Sequence, residues 1–173
     1  LSGLYSNGSM YSNNLGEKVR ARGVREVEEI KQVSNGTVTV GGPIRQDRLW
    51  FYAGVRRWGF KKQTPGLFEN ATMGALFYTP DLNRPVDFEE LNQSYGGRLT
   101  WQASEKNKVY FFTDYQDLYG SHGRAANPTT APEAQNQARL RPSGIVQGSW
   151  QSVQTNKLLI EAGAGWMIWH NHS

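Results

Sequence analysis

The chain has 173 residues, 19 lysines and arginines against 15 aspartates and glutamates, and a formal charge of +4. Cysteine is absent, which excludes disulfide scaffolds and cysteine-based zinc sites. No run of about 18 apolar residues occurs, so a transmembrane helix is excluded, whereas transmembrane strands of about 9–11 residues stay open.

The 19 glycines and the 12% of aromatic residues, six Trp and eight Tyr among them, predict an all-β chain with many turns. The positive charge reads as a solvated surface, because no nucleic-acid module accompanies it. The chain opens on Leu1 and stops at Asn171-His172-Ser173 just after a dense apolar run, so a piece of something longer is expected.

In chain order, Leu1–Asn14 reads as a weak strand ending near Tyr11, then an Asn-rich turn. In Leu15–Val33, Val24, Val27 and Ile30 recur at spacing three among charges, a helical pattern that Gly23 splits into two short pieces. Asn35-Gly36 signals a turn, and Thr37–Val40 alternates as a strand. Pro43 lacks an N–H and is expected at the strand end, outside the ladder. Asp47 closes the turn, and Arg48–Trp58 returns as an aromatic and β-branched strand. Gly59–Asn92, rich in Pro, Lys and scattered aromatics, reads as a long irregular loop.

Two further strand pairs follow. Gln93–Ala103 places Tyr95, Gly97, Leu99 and Trp101 on one face, with Ser94, Arg98, Thr100 and Gln102 on the other. After the polar turn Ser104–Lys108, Val109–Tyr119 returns, with Val109, Phe111, Thr113 and Tyr115 opposed to Tyr110, Phe112, Asp114 and Gln116. Gly120–Pro142 is a second long polar stretch. Ser143–Ser152 goes out, Val153–Asn156 turns, and Lys157–Trp169 comes back with Leu158, Ile160, Ala162, Ala164, Trp166 and Ile168 on one face.

Strand, tight polar turn, strand, then a long loop occurs three times. This is the pattern of an up-and-down antiparallel transmembrane β-barrel segment, its loops carrying short helices. Trp50, Trp101, Tyr110, Trp150 and Leu158 fall near the short-turn ends. Trp58, Tyr95, Tyr119, Trp166 and Trp169 fall near the opposite ends, as two interfacial girdles require. Polar Arg98, Thr100, Gln102, Asp114, Gln116 and Glu161 suit a lumen. They equally suit the solvent face of a one-sided sheet, so a soluble or secreted β-sandwich binding module, with carbohydrate as its candidate ligand, is the alternative.

Three motifs carry a family likeness. Gly41-Gly42-Pro43-Ile44 is followed by Asp47-Arg48-Leu49-Trp50-Phe51. Asn13-Asn14-Leu15 is followed by Val19-Arg20-Ala21-Arg22-Gly23. The turn Ser104–Lys108 precedes an aromatic strand. The chain thereby resembles the Oar-like TonB-dependent outer-membrane receptors, a carboxypeptidase-regulatory-like transporter family. The resemblance implies a partial barrel domain over 1–173, about seven of the 22 strands of a full receptor, in the cell outer membrane. It implies import of a bulky ligand powered through TonB. The chain lacks that family's plug domain, TonB box and C-terminal strand with a terminal aromatic. The implied partners are outer-membrane lipid, the remainder of its own barrel and plug, the TonB complex through that plug, and an unknown ligand; nucleic acid is not among them. An open edge in lipid is not viable, so these strands alone transport nothing.

Loop aromatics Phe68, Phe77 and Tyr78 and lumenal Arg98 are the candidate ligand-binding residues. No catalytic residue, metal or cofactor is expected. His170-x-His172 has no third ligand nearby, Asp114 and Asp117 lie on opposite strand faces, Ser121-His122 has no nucleophile setting, and no helix follows Gly41-Gly42-Pro43 to cradle phosphate.

Overall fold

The computed structural model describes residues 1–12, 15–24, 26–121, 129–135 and 137–172. Seven strands make up one sheet: β1 (Ser2–Asn7), β2 (Glu29–Arg45), β3 (Leu49–Asn70), β4 (Pro80–Gln102), β5 (Asn107–Gly120), β6 (Ala138–Thr155) and β7 (Leu158–His172). Each pairs antiparallel with its neighbours in sequence, and the spatial order is β1 to β7. The chain is therefore all-β, up-and-down and unclosed. The only α-helix among the described residues is α1 (Glu17–Arg20), and single 3-10 turns occupy Gly8–Met10 and Pro132–Ala134.

The three tight turns lie at one end of the sheet. Between β2 and β3, Asp47 adopts the left-handed conformation at φ 57°, and Arg48 N–H donates to the Arg45 carbonyl at 3.1 Å. Asp tolerates this region better than most residues. Between β4 and β5, Ser104 and Asn107 exchange backbone hydrogen bonds, and Asn107 Nδ2 donates to Ser104 Oγ at 2.8 Å. Asn156 and Lys157 join β6 to β7.

Cross-strand register fixes which residues share a face. One face carries Val38 and Val40 from β2, Leu49, Phe51, Ala53 and Val55 from β3, and Tyr95, Leu99 and Trp101 from β4. Val109, Phe111 and Tyr115 from β5, Val146 and Trp150 from β6, and Ile160, Ala162, Ala164 and Trp166 from β7 continue it. Among the described residues no second layer covers this face, and Leu99, Phe111 and Ile160 are 42%, 43% and 40% exposed. The buried apolar residues Leu67, Val86, Phe88 and Leu140 all lie toward the long-loop end.

Several expectations are corrected. The helical pattern in Leu15–Val33 yields one turn of helix, broken where Gly23 takes φ 91°, and Ile30 belongs to β2 opposite Lys62. Spacing three among so few apolar residues cannot outweigh the ladder offered by β3. Asn35-Gly36 is not a turn but the middle of β2, paired with Trp58 and Arg57. Pro43 sits inside the ladder opposite Trp50, two residues before the strand ends, where a register shift between Pro43 and Arg45 accommodates its missing N–H.

The largest correction concerns Gly59–Asn92. It is not an irregular loop. β3 and β4 continue as a hairpin whose connection is only residues 71–79. The register holds this extension through Lys61 opposite Glu89, Lys62 opposite Phe88 and Gln63 opposite Asp87. With polar residues on both faces it shows no alternation, so the sequence signal for a strand vanishes while its hydrogen-bond ladder persists. Likewise β6 begins at Ala138 inside the expected loop Gly120–Pro142, with a register shift between Leu140 and Ser143. Asn13-Asn14 and residues 122–128, which include His122 and Asn127-Pro128, lie outside the described residues.

Candidate functional site

The two faces of the sheet offer different chemistry, and the polar one holds the denser network. Tyr52 and Arg98 are direct partners, as are Arg98 and Phe112, then Phe112 and Gln147. The Arg98 guanidinium lies 5.2 Å from the centre of the Tyr110 ring, and Lys108 Nζ lies 5.3 Å from the same centre. Tyr110 donates its hydroxyl to Gln151 Oε1 at 3.1 Å, and Gln151 Nε2 donates on to Glu161 Oε1. One row above, Asp114 accepts from Ser94 Oγ and Gln116 Nε2, each at 2.6 Å. Arg98, Tyr110, Phe112, Gln147, Ser149 and Gln151 line a groove of 570 Å³.

The long-loop end is the second candidate surface. Phe60 and Phe88 rings meet at 5.6 Å, and Phe88 is buried. Lys31 Nζ and Lys61 Nζ both approach the Asp87 carboxylate, at 2.6 and 3.2 Å. The Lys31 contact lies off the hydrogen-bond direction, so it is an ion pair and not an aligned hydrogen bond. Lys62 pairs with Glu28. At the hairpin tip, buried Asn70 accepts from Thr72 N–H, Thr72 Oγ1 and Thr79 N–H at 3.0–3.2 Å, and its amide donates to Glu133 in the second 3-10 turn. Asn70 thus closes the 71–79 connection and ties it to the segment before β6.

The structure divides the four sequence-predicted site residues between these surfaces. Tyr78 donates its hydroxyl to the Phe68 carbonyl at 2.8 Å, and Phe77 projects beside them with 81% of its surface exposed. Arg98 lies 18 residues along β4 from Pro80, about 59 Å at about 3.3 Å per residue. Along the chain the two places belong to different parts of the β3–β4 hairpin.

Sequence reasoning missed Asn70, and it missed Lys108 and Tyr110 as companions of Arg98. Alternation did put Arg98 and Tyr110 on like-facing positions of their strands. Only register brings the two side chains together across β4 and β5.

Titration adds little. The Arg139 guanidinium is raised above its ordinary value, first by its hydrogen bond to Asp117 and then by that carboxylate's charge. Among the described residues no group of three or more His, Asp or Glu side chains is placed to hold a metal ion. His172 Nε2 instead meets the Arg141 carbonyl at 2.8 Å. Asp114 and Asp117 point to opposite faces, three residues apart on β5, so they do not form a carboxylate pair for acid–base chemistry.

Protein-family models, curated proteins and solved structures were compared with the chain, and none matches it. The site's chemistry is therefore read from its own residues.

Proposed function

We propose that this chain is part of the β-barrel wall of an outer-membrane, TonB-dependent type of receptor that imports a bulky ligand. The observation that carries the reading is the uncovered apolar face. Burying one side chain of the size of Val, Leu or Phe is worth about 1.5–3 kcal/mol. Summed over the strands of this face, the loss on leaving it in water rivals the about 5–15 kcal/mol that holds a whole domain folded. Something apolar covers it, and no part of the described chain does.

The extent of the face favours lipid as that cover. On β3 it begins at Leu49 beside the tight turn and gives way to charge at Arg57. That is about 26 Å along the strand at about 3.3 Å per residue, or about 20 Å along the membrane normal at a strand tilt of about 40°. A barrel's apolar band is about 25 Å tall. Trp101 and Trp150 lie in one row at the turn end, and Tyr95 and Tyr115 lie opposite each other at the far end, their rings 6.2 Å apart. These sites suit rings whose bodies are apolar and whose tips are polar. The girdles are thinner than position along the strands suggests, because Trp50, Tyr110, Trp58 and Trp169 project from the polar face.

In this reading the β3–β4 hairpin stands on the outer surface. Its tip, with Phe77, Tyr78 and the Phe68 carbonyl, meets ligand first, and the polar face with Arg98 lines the lumen. The remainder of the barrel closes the edges at β1 and β7, and a plug contacting TonB supplies the coupling.

The test uses single cysteines in the full-length gene product in its native membrane. Leu99→Cys, Phe111→Cys and Ile160→Cys are expected to react with a lipid-phase reagent, and Arg98→Cys, Asp114→Cys and Glu161→Cys only with a water-phase reagent. Protection of the first set from both reagents overturns the proposal. It would place a second sheet on the apolar face and make the chain a β-sandwich binding module. The import half is tested separately: uptake of the ligand should stop when TonB is removed, and uptake that continues without TonB refutes it.

A further inference from the structure

We infer that the polar-face groove around Tyr110 is a binding site for a small oxyanion, a carboxylate or phosphate group carried by a diffusible solute. This rests on reading the polar face as lumenal, and it names the chemistry which that face selects.

Two cations converge on one ring here. Arg98 approaches Tyr110 diagonally from β4, and Lys108 approaches it from two residues earlier on β5. Neither forms an ion pair with any described carboxylate. The two carboxylates nearest in the ladder are already engaged by neutral donors, Asp114 by Ser94 and Gln116, Glu161 by Gln151. Arg98 could have turned toward Asp114, whose partner Gly96 lies two residues away on β4. It lies over Tyr110 instead.

Each positive end lies within cation–π range of the ring, and neither is drawn into an ion pair there. Tyr110 is itself fixed by its hydrogen bond to Gln151. The groove floor adds Ser149 and Gln147, a hydroxyl and an amide able to donate to the remaining oxygens. The planar guanidinium of Arg98, which lines the groove, suits a two- or three-oxygen anion, because charge-assisted hydrogen bonds from Arg to carboxylate or phosphate are the strong and directional ones, and Lys108 adds positive charge near the same ring. By contrast Arg56, on the same face, donates to Asn35 Oδ1 and covers Trp58, so it is already occupied.

The experiment uses the full-length gene product in detergent, titrated calorimetrically with inorganic phosphate and, separately, with citrate. Arg98→Gln is expected to weaken binding about tenfold, the worth of one charge-assisted hydrogen bond, Lys108→Gln to weaken it less because it acts only through its nearby charge, and the double variant more than either. Arg56→Gln is expected to leave affinity unchanged. Absence of binding to either anion by the wild-type protein, or equal affinity in the double variant, overturns the site. Arg98→Cys labelling in the same preparation separates the two ideas. If that position reacts with the water-phase reagent and no anion binds, the oxyanion site has failed and the lumenal reading stands. If it is sealed from water, the lumenal reading has failed with it.

Discussion

A charge placed at different heights on the apolar face tests the membrane reading by a gradient and not by a single loss. On β3 the positions Leu49, Ala53 and Val55 share that face, and Arg57 follows at its upper limit. Ala53 lies four residues from the turn end and four from Arg57, so it sits at mid-height, about 13 Å along the strand from either limit. An arginine at the midplane of a barrel's lipid face costs about 2–4 kcal/mol, falling to about 0–1 near the interface. Ala53→Arg is therefore expected to destabilise by about 2–4 kcal/mol and Leu49→Arg by about 0–1 kcal/mol. Tyr52→Arg, on the polar face beside Arg98, should lower stability by less than Ala53→Arg because its charge stays in water. The measurement is denaturant unfolding of the full-length gene product in vesicles, comparing free energies at a common slope. Equal costs at positions 49 and 53 refute the lipid band, since a packed protein layer rejects a charge without regard to height. A cost at position 52 as large as that at 53 refutes the assignment of faces.

Three further outcomes follow from packing. An added methyl at Gly59 or Gly144 meets the carbonyl of Glu90 or Asp114 well inside ordinary contact, whereas Gly148 has open space; Gly59→Ala and Gly144→Ala should each cost about 1–3 kcal/mol and Gly148→Ala nothing in the same unfolding assay, and equal midpoints for all three would refute the close approach of the backbones. Asn70→Ala removes the acceptor shared by Thr72 and Thr79 and the donor to Glu133, so proteolysis within 71–79 should accelerate while global stability changes little, and an unaltered cleavage rate contradicts the capping role. Asp87→Ala leaves Lys31 and Lys61 facing each other without their shared carboxylate; hydrogen exchange in the upper β3–β4 hairpin should quicken at low salt and less so at high salt, and salt-independent exchange would show that the ion pairs contribute nothing.

How much of this was legible in the sequence follows from the spacing of apolar residues. Where one face is apolar and the other polar, as in Leu49–Val55, Tyr95–Trp101 and Val109–Tyr115, a period of two reports the strand and both of its faces without any knowledge of partners. The tight turns are equally local, since Asp47, Ser104–Lys108 and Asn156 carry their own geometry. Those features alone determine an all-β, up-and-down chain with three hairpins.

What only the tertiary structure decided is whatever depends on a partner strand. Asn35-Gly36 has turn chemistry, but Trp58 and Arg57 lie opposite and hold it extended. Lys61, Lys62 and Gln63 show no period, yet Glu89, Phe88 and Asp87 complete their ladder. Phe68, Phe77 and Tyr78 could be named as candidates from composition, but their distance from Arg98 could not. The approach of Arg98 to Tyr110 across β4 and β5 is the same kind of fact. Alternation tells a residue which way to face, while register, a relation between residues distant in sequence, decides which side chains meet there.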